Sequence, residues 1–285
     1  MRRNQTSLTA LGIAVMRAAE SEKPAGERIC YDPYARQFVP AWLYHMFAIL
    51  TKSGYTEWRG PGVIGFLAAR DRYIDDVLQK YLEDKLQQLV ILGAGYDSRA
   101  YRFDLAGLVK TFEVDHPATQ QDKLEKLHSI FGKVPGHVIY VPVDFNIQTL
   151  EDCLLQSGYD PTLKTLFIWQ GVTMYLTAEA VDNTLAFVTD HSPSGSAIIF
   201  DYVYRHVLDG TQKQSEISGM RRYRFMTGEG LSFGIEEGAV EAFLIQRGFR
   251  QVKDVNVNDL KLAYFTGVNA NRKVAGGYGI ATGVV

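Results

Sequence analysis

The 285-residue sequence is 46% hydrophobic and 22% charged, the balance of an ordinary globular chain rather than of a disordered or fibrous one. Its 30 basic and 32 acidic residues leave a net charge of −2, with no long block of one sign, which argues against a nucleic-acid partner. Two distant cysteines, Cys30 and Cys153, make no metal spacing and suit a reducing cytoplasm, and no apolar run approaches the ~20 residues that span a bilayer.

The chain starts Met1-Arg2-Arg3-Asn4, but the following apolar patch is broken by Thr9 and Gly12, so no signal peptide is read there. Residues 6–20 are amphipathic at helical spacing, with Leu8, Leu11, Val15, Ala18 and Ala19 in one stripe and Thr6 or Ser7 as a possible N-cap. Tyr31-Asp32-Pro33-Tyr34 punctuates the chain and predicts a helix starting at Pro33. An apolar helix is predicted over 41–50, a loop through Ser53-Gly54 and Gly60-Pro61-Gly62, and a long helix over 63–86. These first 86 residues are expected to form a helical cap on the sheet domain that follows, residues 87–285.

Everything after that is organised around Gln88-Leu89-Val90-Ile91-Leu92-Gly93-Ala94-Gly95-Tyr96-Asp97-Ser98-Arg99. A short apolar run ended by glycines predicts a buried parallel strand turning sharply into a helix. Gly93 and Gly95 let the backbone turn tightly and a ligand approach it closely. About 20 positions on, Asp115 closes Phe112-Glu113-Val114-Asp115, where a carboxylate at a strand end can accept both hydroxyls of an adenosine ribose. Ser98 stands where a dinucleotide fingerprint needs Gly or Ala, so the pair fits S-adenosylmethionine better than NAD. Strand and helix then alternate: strands at 88–92, 108–114, 137–142, 165–169 and 197–202, helices at 117–131, 148–157 and 178–190. A helix over 236–247, a strand over 249–257 and a last strand over 278–285 complete the predicted elements. The long polar-aromatic segment 203–235, with Tyr204, Arg205, His206, Arg221, Arg222 and Arg224, falls where a substrate lid would sit.

Three stretches together resemble leucine carboxyl methyltransferases and their bacterial relatives. They are Ala94-Gly95-Tyr96-Asp97-Ser98-Arg99-Ala100-Tyr101-Arg102, Phe112-Glu113-Val114-Asp115-His116-Pro117 and Trp169-Gln170-Gly171-Val172-Thr173-Met174-Tyr175-Leu176. Asp32-Pro33-Tyr34, Ala18-Ala19-Glu20 and Leu231-Ser232-Phe233-Gly234-Ile235 fit the same pattern, in the same order along nearly the whole chain. The resemblance implies a class I methyltransferase: an α/β, Rossmann-like, seven-stranded sheet with its last strand antiparallel. It also implies S-adenosylmethionine as cofactor. In that family pattern Arg70 pairs with the cofactor's methionine carboxylate, Gly93 and Gly95 pass beneath it, and Asp115 holds the ribose. Asp144 accepts from the adenine amine, or else caps the helix near Gln148, and Phe145 packs on or near the ring. Gln170 replaces the family's usual Glu and can still hydrogen-bond the cofactor's amino group. Tyr175 either faces the reaction centre or packs as a core tyrosine.

Methyl transfer from a sulfonium is an in-line displacement, for which a protein aligns the acceptor about 3 Å from the methyl group and excludes water. A carboxylate acceptor is ionised at pH 7 and needs no base, whereas a phenol would call on Tyr175, His206 or His116. The resemblance and the aromatic-rich lid together give the expected function: an O-methyltransferase acting on a carboxylate or phenolic hydroxyl of a small molecule. A protein C-terminal carboxylate is the alternative acceptor. An NAD-dependent oxidoreductase and a non-catalytic binding protein of the same fold are alternatives of another class.

Overall fold

The structure, a computed structural model, describes residues 8–144, 148–209 and 230–285. Among them seven strands form one sheet: β1 Gln88–Leu92, β2 Lys110–Asp115, β3 Val138–Pro142, β4 Thr165–Trp169, β5 Ala197–Val203, β6 Gln251–Val255 and β7 Tyr278–Val284. Their order is β3-β2-β1-β4-β5-β7-β6. Strands β1 to β5 run parallel, and β7 is antiparallel to both neighbours, as the family resemblance predicts.

The period-2 geometry of a strand explains why the central strands read as unbroken apolar runs. Successive side chains point to opposite faces, and here both faces are covered. Leu89 and Ile91 join Leu166, Ile168 and Ile199 in one core, while Val90 and Leu92 join Phe167, Trp169, Ile198 and Phe200 in the other. Five N-terminal helices, α1 Leu8–Ser21, α2 Ala35–Phe38, α3 Ala41–Lys52, α4 Tyr55–Arg59 and α5 Val63–Glu83, precede the sheet. The buried stripe of α5, Phe66, Ala69, Ile74 and Leu78, packs into the same core as Leu89 and Ile91. By contrast α3 has no buried residue, and Trp42, Met46 and Ile49 stand exposed along one of its faces.

After the sheet begins come α6 Arg99–Arg102, α7 Pro117–Phe131, α8 Leu150–Gln156, α9 Ala178–Asp190, α10 Arg205–Asp209, α11 Val240–Ile245 and α12 Val257–Tyr264. Several boundaries depart from the sequence reading for local reasons. β2 begins at Lys110 because Leu108 and Val109 both bond back to the Leu105 carbonyl in a turn. α8 starts at Leu150 because the Thr149 hydroxyl caps it, so Asp144 is not its N-cap. α5 stops at Glu83, where Lys85 takes a φ of 57°. The loop expected after α3 contains the single turn α4. β6 ends at Val255, and α12, unpredicted, follows at once because Asn256 and Asp259 form a reciprocal capping box. Predicted cap positions Thr6 and Ser7, and residues 210–229 of the expected lid, lie outside the described residues.

Candidate active site at the carboxyl ends of the strands

Strand register brings the chemistry-bearing residues to one edge. Leu92 pairs with Val114, so Gly93 follows at the level of Asp115, which itself pairs with Pro142 of β3. Trp169 pairs with Phe200, so Gln170 and Asp201 stand side by side at the ends of β4 and along β5. In an open α/β sheet that edge, at the reversal of strand order between β1 and β4, is where a ligand binds.

The glycine turn and the acidic strand end are joined directly. Gly95 donates its backbone N–H to one carboxylate oxygen of Asp115, and the His116 N–H donates to the other at 2.6 Å. Each oxygen keeps a lone pair for a further donor such as a ribose hydroxyl. Burial raises the Asp115 carboxyl above its ordinary range, outweighing the two amides that hold it down. Gly93 has a φ of 65°, and a Cβ there would sit 2.4 Å from Cγ2 of Val172. Both the backbone conformation and the contact with the loop after β4 therefore require glycine. His116 caps α7, its Nδ1 accepting from the Ala118 N–H at 3.2 Å, which accounts for it as a turn residue.

Arg70 is 2% exposed on the inner face of α5. Its Nη1 donates to Oδ2 of Asp201 at 2.6 Å, while Nε and Nη2 are buried with no partner among the described residues. Those two atoms form one edge of the guanidinium, the fork that matches a carboxylate bidentately. A buried donor left without a partner costs about 1–3 kcal/mol, so this edge fits an acidic ligand group better than an empty interior. With Asp115 and the glycine turn, it makes a donor and acceptor set suited to a nucleoside bearing an amino-acid tail.

Gln170 is bound at both ends. Its Oε1 accepts from Arg99 Nη1 at 2.8 Å and its Nε2 donates to Asp71 at 2.5 Å. Arg99, wholly buried, also pairs with Asp75 at 2.7 Å and with Asp97, and Lys123 donates to the Asp97 carbonyl at 2.7 Å. Burial works against the charge on Asp71, but Arg17, Arg70, Arg99 and the Gln170 amide outweigh it and hold the carboxyl below its usual range. This network fastens α5, α6 and the loop after β4 into one frame. Sequence reasoning named Gln170 but missed its partner Asp71, the buried Arg99 hub and Asp201; the available signal for Asp201 was a lone charge in the apolar run Ala-Ile-Ile-Phe-Asp-Tyr-Val.

The remaining predicted residues lie around this frame. Tyr175 is half-buried on a 3₁₀ turn, 173–175, just after β4, and Asp144 is half-buried two residues beyond the end of β3. Phe145 lies outside the described residues. His206 is half-buried on α10, its ring centre 5.6 Å from that of Tyr204. The segment returning at 230–235 is tied to the Tyr175 turn, because Ser232 donates to the Met174 carbonyl at 2.8 Å, and to β5, because Ile235 donates to the Val203 carbonyl at 3.1 Å. The Tyr175 turn and the described parts of the 203–235 segment thus flank the same strand ends.

A parallel sheet with an antiparallel seventh strand, a glycine turn after β1 and a carboxylate at the end of β2 define the class I methyltransferase fold. The sequence matches the leucine carboxyl methyltransferase family over residues 10–189, and the chain belongs to that family of S-adenosylmethionine-dependent methyltransferases. It is 33% identical over 206 residues to YktD of Bacillus subtilis, which bears the name of an S-adenosyl-L-methionine-dependent methyltransferase; the match covers 72% of this chain and 66% of that one. A protein of Mycolicibacterium smegmatis with the same kind of name is 32% identical over 207 residues, covering 70% and 68%. The chain thus matches about two thirds of the length of these relatives. In fold it is similar to a Thermobifida fusca protein named as a methyltransferase (TM-score 0.58, 14% identity, 98% of this chain and 95% of that one). A Streptomyces avermitilis protein shows the same likeness (TM-score 0.53, 12% identity, covering 95% and 96%). At such identities the likeness concerns the fold alone.

Proposed function

We propose that this chain is an O-methyltransferase that methylates a carboxylate or phenolic hydroxyl of a small-molecule acceptor in the cytoplasm, with no nucleic-acid or membrane partner. The observation that carries the cofactor half of this reading is the Nε–Nη2 edge of Arg70, buried and without a partner among the described residues, in a fold that also carries the glycine turn and Asp115 at its strand ends. When bound, S-adenosylmethionine supplies a methyl group on a sulfonium leaving group. Arg70 holds the amino-acid carboxylate, Asp115 the ribose hydroxyls and Asp144 the adenine amine, while Gly93 and Gly95 keep side chains out of the way. Gln170 retains one amide hydrogen and one lone pair beyond its bonds to Asp71 and Arg99, enough to orient a polar tail. Tyr175 and His206 border the acceptor side. For a carboxylate acceptor they orient and exclude water; for a phenol one of them takes the proton. In this reading residues 1–86 form the cap and 203–235 the acceptor lid of the domain 87–285.

The aromatic residues of the 203–235 segment favour a small, partly apolar acceptor over a protein C-terminus. Calorimetry with S-adenosylmethionine, S-adenosylhomocysteine and NAD tests the cofactor, with Arg70→Ala and Asp115→Ala alongside. The two adenosyl ligands are expected to bind and to lose about 10- to 100-fold in affinity in each variant, the value of a charge-assisted hydrogen bond. Binding of NAD alone would overturn the reading. An acceptor screen by mass gain of about 14 Da then separates small acids and phenols from carboxyl-terminal peptides.

A further inference from the structure

The only charged side chain of β5, Asp201, is fully buried between Phe200 and Tyr202. Placing a carboxylate in such surroundings is costly unless both oxygens are satisfied. They are: Oδ1 accepts from the Gly171 backbone N–H at 2.5 Å, and Oδ2 accepts from Arg70 Nη1 at 2.6 Å. The arrangement is lopsided. A pair built only to hold α5 against the sheet would use the two-pronged face of arginine, which gives two parallel bonds. Asp201 instead takes a single N–H and leaves the Nε–Nη2 fork buried and without a partner among the described residues. Because a guanidinium is planar and rigid, fixing Nη1 at one corner and the aliphatic stem at the other fixes the direction of the free fork. The same carboxylate holds the Gly171 amide, and the Asp201 carbonyl accepts from the Thr173 hydroxyl at 2.6 Å. One residue thus sets both the arginine and the loop that starts at Gln170 and leads to Tyr175.

We propose that Asp201 is a positioning residue for the cofactor's amino-acid tail, aiming the free edge of Arg70 and the 170–173 loop at the tail's carboxylate without touching it. The inference rests on the S-adenosylmethionine reading above and extends it to a residue on a different strand.

The test compares two ligands that share the adenosyl group and differ in the tail: S-adenosylhomocysteine and 5′-methylthioadenosine, which lacks the amino acid. Dissociation constants are measured for the wild type, Asp201→Asn, Arg70→Ala and the double variant. Asparagine keeps the shape but turns either an amide N–H toward Arg70 or a second donor toward Gly171. Asp201→Asn is expected to weaken S-adenosylhomocysteine about 10- to 100-fold while leaving methylthioadenosine within about twofold. The double variant is expected to be no weaker than Arg70→Ala alone, since one residue acts through the other. Parallel loss of both ligands, or additive losses in the double variant, would show a merely structural Asp201 and overturn the inference. If Asp201→Asn does not fold, Arg70→Lys takes its place: it keeps a cation beside Asp201 without a fork, and must show the same selective loss. Retention of wild-type selectivity there would overturn the inference as well. A wild type that bound methylthioadenosine and S-adenosylhomocysteine equally would sink this inference and spare the nucleoside site; one that bound neither would sink both.

Discussion

Position 170 shows how a single side chain can be chosen by its neighbours. The glutamine amide accepts from Arg99 and donates to Asp71, and an ionised carboxylate cannot do both at neutral pH. The substitution Gln170→Glu would set a second carboxylate beside Asp71 and remove the donated bond. The expected cost is about 1–3 kcal/mol at pH 7. Like charges at this distance raise the pKa of one member, and an acid raised in the folded state destabilises above that pKa and recovers as pH falls through it. The deficit in urea midpoint should therefore shrink between pH 7 and pH 5; a deficit independent of pH would mean that lost packing, not charge, is responsible. Residues of this sort mark the boundary of what could be read from sequence. Gly93, Gly95 and Asp115 were legible because their constraint is local: a turn, a strand end, a spacing of about 20. Asp201 and the Arg99 hub were not, because their partners, Arg70 in one case and Asp71, Asp75 and Gln170 in the other, come together only after the chain has folded.

Among the elements, the attachment of α1 offers the clearest energetic test. Glu20, near its C-terminal end, is 2% exposed and receives both Nη atoms of Arg272 at 2.8 Å, together with Lys23 at 2.7 Å and the Ile29 N–H at 2.9 Å. Burial disfavours the ionised form, yet Arg272, Lys23 and the Ile29 amide prevail and hold the carboxyl below its ordinary range. A lowered folded pKa stabilises fully above the unfolded value of about 4.3 and is lost as pH falls toward the folded one. Arg272→Ala is expected to cost about 2–4 kcal/mol at pH 7, reduced from the fully buried case because Arg272 is a fifth exposed. It should also flatten the loss of stability between pH 5 and pH 3, measured by urea unfolding at each pH. An unchanged acid slope would show that other carboxylates, such as Asp71 and Asp97, dominate it. Element boundaries were legible where periodicity is long, as in α7 and α9, whose limits agree residue for residue with the sequence reading. They were misread where one cap decides: Thr149 for α8, and Asn256 with Asp259 for α12, each a few atoms outweighing a weak apolar pattern.

At the scale of the molecule, fold class was legible because alternating strand and helix patterns leave few ways to bury both faces of a parallel sheet. The strand order at the far edge is invisible to pattern, since nothing in residues 251–255 says that a strand made later will lie between them and β5. That interleaving has a consequence in time. Among the described residues the backbone of β6 pairs with β7 alone, so on a chain emerging from the ribosome it waits for a partner some twenty residues younger than itself. Until then its row of backbone amides is an orphan edge, and the charged and polar residues Arg250, Gln251, Lys253 and Asp254 along it are suited to keeping that edge from pairing with strangers. Pulse-labelled hydrogen exchange during refolding should find the amides of Gln251–Val255 protected no sooner than those of Tyr278–Val284. Earlier protection of the older strand would mean that it first pairs elsewhere and is later displaced.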